Sequence, residues 1–446
     1  MRGLSQGCEK SVSADPPPSR EPDSGRPDSG LGDAWRGAEA LILGTGDEAG
    51  ARIRDLRHAM EVCGARVTTR LRPLFPEGGR DRLGALAFGR GLLRLPSLHR
   101  ALLEALPPAP PDIIIIPYPG HLDAPALAPR LRERYGPKTR IALDLFVGLH
   151  ETLVLDRARV PVGSWRAGAL LGLDRRAAAS VDILITDTRE HGRLWTDSGI
   201  IARGGSDGGA EPVVVRLGGD PRLQDRGLAG PISADPPGSR LELVHVGSHI
   251  PLHGGDVMLA ALTELQRRGA ASSTAPRSGV TESAVRTPAT MPTLTMIGEG
   301  RRRAPLERAA RQAGLPVVFE PSLPFEAMRA RLRSAALVLG TFGRGVKAEA
   351  VVPQKVLDAL ACGRPLITSD TAPQRRACAD GEAARLVPPG DPDALADAIS
   401  AMACGATRAR YASAARRAFE EWSEPRRRLA ALGRRFRDHG RVKTEP

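Results

Sequence analysis

The chain has 446 residues, of which 41% are hydrophobic and 26% charged, so it can build more than one buried core. Its net charge is +13, and no apolar run is long enough for a transmembrane helix. Five widely spaced cysteines without a CxxC pair exclude a disulfide-stapled miniprotein and a typical zinc module. Since no apolar secretory signal is visible either, we expect a cytoplasmic protein.

The first half of the sequence has the alternating pattern of a doubly wound α/β domain over residues 38–222. The apolar run Ala40–Leu43 leads into a glycine turn, and helical spacing follows over Ala51–Cys63. Asp112–Ile116 is predicted to be a strand that is buried on both faces, as parallel strands are. These elements indicate a Rossmann-like domain.

The same pattern restarts at Leu241 and continues to residue 405. Leu241–Val246 and Thr293–Ile297 are predicted strands, and Gly255–Arg268 is a predicted amphipathic helix. Two blocks of alternating strands and helices predict two Rossmann-like domains that face each other across a cleft.

Four further segments are assigned by composition. Residues 1–37 are predicted to be disordered, because Ser, Pro, Asp and Gly dominate them. Residues 223–240, rich in Gly, Pro and Asp, are predicted to be an interdomain linker. Residues 269–292, rich in Ser, Thr, Ala and Pro, are predicted to be a flexible insertion. Residues 406–446 carry 12 Lys and Arg against 5 Asp and Glu, which predicts basic C-terminal helices.

Two residues of the first half are candidates for catalysis. His121 follows the strand Asp112–Ile116, at the sheet edge where open α/β sheets bind ligands, and could orient a bound substrate. The alternative is a histidine bonded to the loop backbone. Asp144 lies in the predicted strand Ile141–Phe146, where a charge needs a partner, so it is either catalytic or held by an arginine or a helix end.

Motifs in both halves resemble those of retaining glycosyltransferases of family 4. LELVHVGSHIPLHGGDVMLAAL resembles the start of the donor domain, LTMIGEG its next strand and turn, and VLGTFGRGVKAEAVVPQKVLDALACGRPLITSD its nucleotide-sugar signature. PDIIIIPYPGHLDAP and IALDLFVGLHETLVLDR resemble the acceptor domain of a subgroup. The resemblance implies a GT-B fold of class α/β, with two Rossmann-like doubly wound domains facing a cleft.

The resemblance also implies a donor site in the second domain. Backbone amides at a helix start and a cationic side chain would hold the diphosphate without a metal ion or other cofactor. Lys355 would supply the charge, and Asp358, one turn later, would bind the ribose hydroxyls. The implied donor-binding residues are Gly247, Ser248, His253, Gly254, Glu299, Lys347, Lys355 and Asp358.

One departure from the family pattern concerns the signature's first acidic residue. In the family a Glu stands eight residues before the second acidic position, but here that position is Ala350, with Glu349 beside it. The departure leaves the contacts to the sugar open.

The implied function is transfer of a sugar from a nucleotide diphosphate-sugar to a glycan, a lipid carrier or a small metabolite, with retention of anomeric configuration. The alternative is a catalytically inactive GT-B protein that binds nucleotide-sugar or glycan as a regulator. The basic residues 406–446 would suit peripheral contact with the inner face of an anionic membrane. Nucleic acid is not expected as a partner, because aromatic residues make up only 3% of the chain.

Overall fold

A computed structural model describes residues 34–74, 91–201, 212–223, 240–274 and 291–438. Most of the predicted disordered segment, linker and insertion therefore lies outside the described residues. Folded structure begins before the predicted Ala38, because Trp35 is completely buried and packs edge-on against Phe436, with the ring centroids 4.8 Å apart.

In the described part of the first half, six parallel strands form a sheet with the order β2-β1-β3-β4-β5-β6. Its strands are β1 (Glu39–Gly44), β2 (Arg66–Leu71), β3 (Ile113–Ile116), β4 (Arg140–Asp144), β5 (Ile183–Thr186) and β6 (Val213–Val214). Helices flank it at α1 (Ala51–Val62), α2 (Leu95–Glu104), α3 (Asp123–Tyr135), α4 (Trp165–Ala179) and α5 (Arg189–Asp197). The four isoleucines of β3 are fully buried because apolar clusters cover both faces of the sheet.

The described residues of the second half form another sheet of six parallel strands, with the order β12-β11-β10-β7-β8-β9. Its strands are β7 (Glu242–Val246), β8 (Thr293–Ile297), β9 (Val317–Glu320), β10 (Leu337–Leu339), β11 (Leu366–Ser369) and β12 (Arg385–Val387). The helices are α6 (Gly255–Thr274), α7 (Arg303–Gln312), α8 (Phe325–Ser334), α9 (Val346–Ala350), α10 (Gln354–Ala361), α11 (Ala372–Ala377) and α12 (Pro392–Ala401). This strand order is that of the Rossmann fold.

The strand order reverses once in each sheet, between β1 and β3 in the first and between β7 and β10 in the second. In open α/β sheets the ligand crevice lies outside the carboxyl ends of the strands at such a reversal. The turn Gly44–Gly46 follows β1, the segment containing His121 follows β3, and Gly247 follows β7. The fold therefore places these segments at the two reversal points.

The basic C-terminal segment packs on both domains through α13 (Gly405–Ser423) and α14 (Pro425–Asp438). Phe419 and Trp422 join the core of the second domain, whereas α14 contributes Leu429, Leu432 and Phe436 to the core of the first. The apolar face of α14 is thus used by the fold. Within the described residues, no helix has the length and apolar character required to cross a membrane.

Candidate functional site

The turn after β7 brings three of the predicted donor-binding residues together. A Cβ atom on Gly247 would overlap both Nζ of Lys355 and the ring of His253, so glycine is needed for these side chains to converge on the backbone. Gly254 has a left-handed φ of 66°, and a Cβ there would overlap the backbone of Phe342 and Gly343. The predicted proximity of the glycine turn and Lys355 is therefore present in the structure.

Lys355 stands at the start of α10 in a buried cluster with two histidines. Its Nζ lies 3.4 Å from Nε2 of His245, and the rings of His245 and His253 are 5.3 Å apart. Burial lowers the pKa of Lys355 well below its ordinary value, and burial together with the Lys355 charge does the same to both histidines. An anion bound here would stabilise the charged form of Lys355.

Asp358 and Glu299 occupy different environments. Asp358 lies one turn along α10 from Lys355, where its Oδ1 accepts a hydrogen bond of 2.7 Å from Nε2 of Gln354, and burial raises its pKa to about 7. Glu299 follows β8 and pairs with Arg303 at 3.0 Å in a partly exposed position. Its geometry fits the completion of a turn as well as donor binding.

Lys347 reaches into the first domain. Its Nζ lies 3.0 Å from Oε1 of Glu151 and donates a 3.0 Å hydrogen bond to Oγ1 of Thr152. Glu151 begins a single turn of π-helix, Glu151–Asp156, which follows β4. In this arrangement Lys347 joins the two domains.

The carboxylate of Glu151 is completely buried in a polar network. Its Oε2 accepts hydrogen bonds of 2.8 Å from Nε1 of Trp195 and from Nε2 of His191, and Nδ1 of His191 lies 2.6 Å from Asp187. Burial disfavours both charges, but the charges of His191 and Lys347 outweigh it at Glu151 and lower its pKa to about 2. At His191, Glu151 and Asp187 outweigh burial and raise the pKa to about 9.

A cleft of about 440 Å³ opens between the domains beside this network. The loop after the π-helical turn forms one wall, and the turns after β7 and β8 form the other. Its lining residues are Arg157, Ala158, Arg159, Ser248, His249, Ile250, Pro251, Gly300, Arg301 and Arg302. Ser248 is thus the predicted donor residue that lines the cleft, and four arginines make the cleft strongly basic.

The two candidates for catalysis lie inside the first domain. His121 is 2% exposed, its Nδ1 is 3.3 Å from the carbonyl oxygen of Pro119, and burial lowers its pKa to about 4. Asp144 ends β4 and accepts bonds of 2.8 and 3.2 Å from the guanidinium of Arg52. Neither side chain lines this cleft. Nε2 of His121 lies 3.5 Å from Oδ1 of Asp174, and Asp144 is paired with Arg52, so the catalytic roles of both residues stay predictions.

The position of the missing signature glutamate faces the first domain. The carbonyl oxygen of Ala350 accepts a hydrogen bond from the hydroxyl of Thr188, and Ala350 is buried. Glu349 is exposed, so the adjacent carboxylate does not take over this position.

Sequence reasoning missed the first domain's contribution to the cleft. Arg157 directly follows the motif IALDLFVGLHETLVLD, and Arg159 stands two residues later. Two arginines next to this motif were the signal in the sequence for a basic loop. Glu151 and His191 carry no local pattern that predicts their contact. Arg301 and Arg302, which directly precede α7, also line the cleft.

Comparison with known families matches one part of the chain. Residues 280–404 match the family model described as Glycosyl transferases group 1. This stretch contains Glu299, Lys347, Lys355 and Asp358. The comparison with curated protein sequences found no match.

Solved structures share the fold over most of the chain. Sucrose-phosphate synthase from Thermosynechococcus elongatus superposes with a TM-score of 0.61 at 17% identity, covering 92% of this chain and 100% of that chain. For α,α-trehalose-phosphate synthase (UDP-forming) from Burkholderia vietnamiensis the TM-score is 0.59 at 15% identity, covering 92% and 99%. Anabaena HepE in complex with UDP and glucose gives 0.52 at 13% identity, covering 87% and 96%. The fold is GT-B, as the sequence motifs imply.

Proposed function

We propose that the protein is a glycosyltransferase that transfers a sugar from a nucleotide diphosphate-sugar to an acceptor with retention of anomeric configuration. The observation that carries this proposal is the convergence of Lys355 and His253 on Gly247, at the strand reversal of the second domain. Lys355 lies within the stretch that matches the group 1 glycosyltransferase model, and the superposed structures support the same fold.

The donor diphosphate would lie against the backbone of Gly247 and Ser248. There the amide groups after β7 and the ammonium group of Lys355 would offset its charge, so we propose that no metal ion is required. Asp358, one turn from Lys355, would accept hydrogen bonds from the ribose hydroxyls. Uridine is the first base to test, because Anabaena HepE was solved with UDP and glucose.

The reaction would place the acceptor from the first domain against the same face of the sugar that the diphosphate leaves. The bond from the anomeric carbon to the phosphate oxygen breaks, the acceptor oxygen bonds to that carbon, and the acceptor proton passes to the departing phosphate. Lys355 and the basic cleft would stabilise the negative charge that develops on the leaving group. Domain closure would position the acceptor and exclude water.

The superposed structures decide which acceptors are tested first. Two of the superposed structures, sucrose-phosphate synthase and trehalose-phosphate synthase, suggest that sugar phosphates be screened first as acceptors. Glycans and lipid carriers form the second set.

The test is a thermal-shift measurement against UDP-, GDP-, ADP- and TDP-sugars. We expect one nucleotide to raise the melting temperature of the wild type, because ligands that bind the folded state stabilise it. Lys355→Ala and Asp358→Ala should abolish the shift, whereas Arg267→Gln, an exposed pair partner of Glu264 on α6, should retain it. No shift with any nucleotide-sugar at millimolar concentration would contradict the proposal.

Turnover separates the enzyme from the regulatory alternative. Acceptor panels are screened with the donor identified above, and the anomeric configuration of the product is read by NMR. Inversion would refute the retaining mechanism, and donor binding without any transfer or donor hydrolysis would favour a regulator.

A further inference from the structure

The basic cleft draws its charge from both domains. Arg157 and Arg159 stand on the wall of the first domain, and Arg301 and Arg302 stand on the wall of the second. Among the described residues that line the cleft, none is acidic. Arg302 lies 3.7 Å from Asp256 in an exposed pair, and the charge of Arg157 acts on the neighbouring Asp156. The cleft surface itself carries four cations, an arrangement that attracts an anion.

A buried polar atom at the same cleft also lacks a protein partner. His249 lines the cleft and is 2% exposed, and its Nε2 donates a hydrogen bond of 3.2 Å to the carbonyl oxygen of Gly298. Its Nδ1 makes no hydrogen bond within the described residues. Buried polar nitrogens are rarely left without a partner. Because Nε2 carries the donated proton, Nδ1 of the neutral ring is suited to accept a hydrogen bond from a protonated ligand oxygen.

The backbone on both walls is held in the left-handed region. Ala158 has a φ of 46° and His249 a φ of 47°, and these two residues line opposite walls of the cleft. Such conformations cost free energy at residues other than glycine and persist where the surrounding structure imposes them. The two loops are therefore held in set positions on either side of the cleft.

The cleft adjoins the Lys355 cluster. Burial is the main reason why the pKa of His253 lies well below its ordinary value, and the charge of Arg157 adds to this effect from the opposite domain. Ser248, which follows Gly247, belongs to both sites.

We propose that this cleft is a phosphate site shared by the two domains, in which Arg157 and Arg159 of the first domain bind a phosphoryl group against Ser248, His249 and the arginines of the second. The inference rests on the proposed function for the identity of its natural ligands. The phosphoryl group belongs either to the donor diphosphate or to a phosphorylated acceptor. Arginine suits both, since its planar guanidinium forms paired, charge-assisted hydrogen bonds to phosphate oxygens.

Such a site makes ligand binding depend on closed domains. A phosphoryl group between the walls neutralises arginines that belong to separate domains, so its binding energy favours the closed arrangement. The segment Ser248–His253, which follows β7, contains no Arg or Lys, so the arginines of the cleft would supply the positive charge beside it.

The test is calorimetric titration with three probes: inorganic pyrophosphate, UDP and glucose 6-phosphate. Arg157→Gln with Arg159→Gln should weaken the binding of at least one probe by about ten-fold or more, because two charge-assisted contacts are lost. The matched control is Arg166→Gln, an exposed arginine at the start of α4 that stacks near Trp165 and does not line the cleft. We expect its affinities to stay within about two-fold of the wild type.

The two phosphate sources give different patterns. Loss of pyrophosphate and UDP binding assigns the site to the donor, whereas selective loss of glucose 6-phosphate binding assigns it to a phosphorylated acceptor. Arg301→Gln with Arg302→Gln, on the opposite wall, should weaken the same probe. Hydrogen exchange with that probe bound should show protection in both 157–160 and 248–251.

The inference and the proposed function can fail separately. If UDP binds, Lys355→Ala abolishes its binding, and all three probes bind the Arg157→Gln/Arg159→Gln variant as they bind the wild type, the shared phosphate site is refuted and the proposed function stands. If glucose 6-phosphate binds through the arginines but no nucleotide binds, the site stands and the proposed function fails. Absence of binding for all three probes at millimolar concentration overturns the inference.

Discussion

Nζ of Lys347 lies 3.0 Å from Oε1 of Glu151, and the two side chains come from opposite domains. Both are buried, and Glu151 is held in turn by His191 and Trp195. A second contact between the domains joins Arg376 of α11 to Glu190 of α5. The guanidinium of Arg376 donates to both carboxylate oxygens of Glu190, at 3.0 and 2.6 Å. The domains are therefore joined by oriented polar contacts, which stabilise their observed arrangement.

Removal of the Lys347 charge should loosen this arrangement. In Lys347→Met the buried carboxylate of Glu151 keeps His191 but loses a cation, so we expect a loss of about 1–3 kcal/mol in the free energy of unfolding. The measurement is urea denaturation. Arg57→Met, which removes an exposed cation from Glu48 and Glu61, should cost less than about 1 kcal/mol. Equal losses in the two variants would contradict the prediction.

The buried His191 gives stability a pH dependence. Its pKa is raised to about 9 from an ordinary value near 6.5, so its contribution is fully present below about pH 6.5 and is lost as the pH rises through 9. We expect the free energy of unfolding of the wild type to fall between pH 6.5 and 9. The variant His191→Gln should show a flatter profile over that window, and parallel profiles would refute the assignment.

Gly247 should be needed for donor binding. In Gly247→Ala the added Cβ overlaps Nζ of Lys355 and the ring of His253, so the cluster must move apart. We expect nucleotide affinity to fall by at least about ten-fold, measured by calorimetry, because the charge-assisted contact of Lys355 is lost. The control Gly172→Ala, in the helix α4, meets no atom within 4 Å and should keep wild-type affinity.

Binding of a nucleoside diphosphate should take up protons. Burial holds the pKa of Lys355 well below its ordinary value, and an anion at Gly247 would raise it again. We therefore expect affinity to fall as the pH rises through the pKa of the free protein. Calorimetry at one pH in buffers of different ionisation enthalpy measures the uptake directly. A complex that forms with the same measured enthalpy in every buffer, and therefore without proton uptake, would contradict the prediction.

The C-terminal helix α14 should stabilise the first domain. Arg428 is buried, and its Nη1 lies 2.9 Å from Oδ1 of Asp55, a residue of α1. Arg428→Met leaves the Asp55 carboxylate buried without this cation, so a loss of about 3–5 kcal/mol is expected in thermal or urea unfolding. The exposed Arg434 on the same helix supplies the control, because Arg434→Met should be close to neutral.

The sequence alone predicted the two-domain α/β architecture and the glycine turn with Lys355. The apolar run Ile113–Ile116 and the alternation of strands and helices around it are local sequence patterns. Such patterns predict buried parallel strands in any fold that covers both faces of a sheet. Gly247 and Lys355 were assigned to one donor site because the family resemblance implies it. Their separation in the sequence does not by itself indicate that they are close in space.

Only the tertiary structure decided which side chains share a site. Asp144 forms an ion pair with Arg52, and Lys347 forms one with Glu151 in the other domain. No local sequence pattern spans these separations. The same holds for the arginines at 157 and 159, which face the turn after β7 only because the domains close on each other. Local sequence fixes periodicity and turn geometry, whereas charge pairing and cleft composition depend on how distant segments are brought together in space.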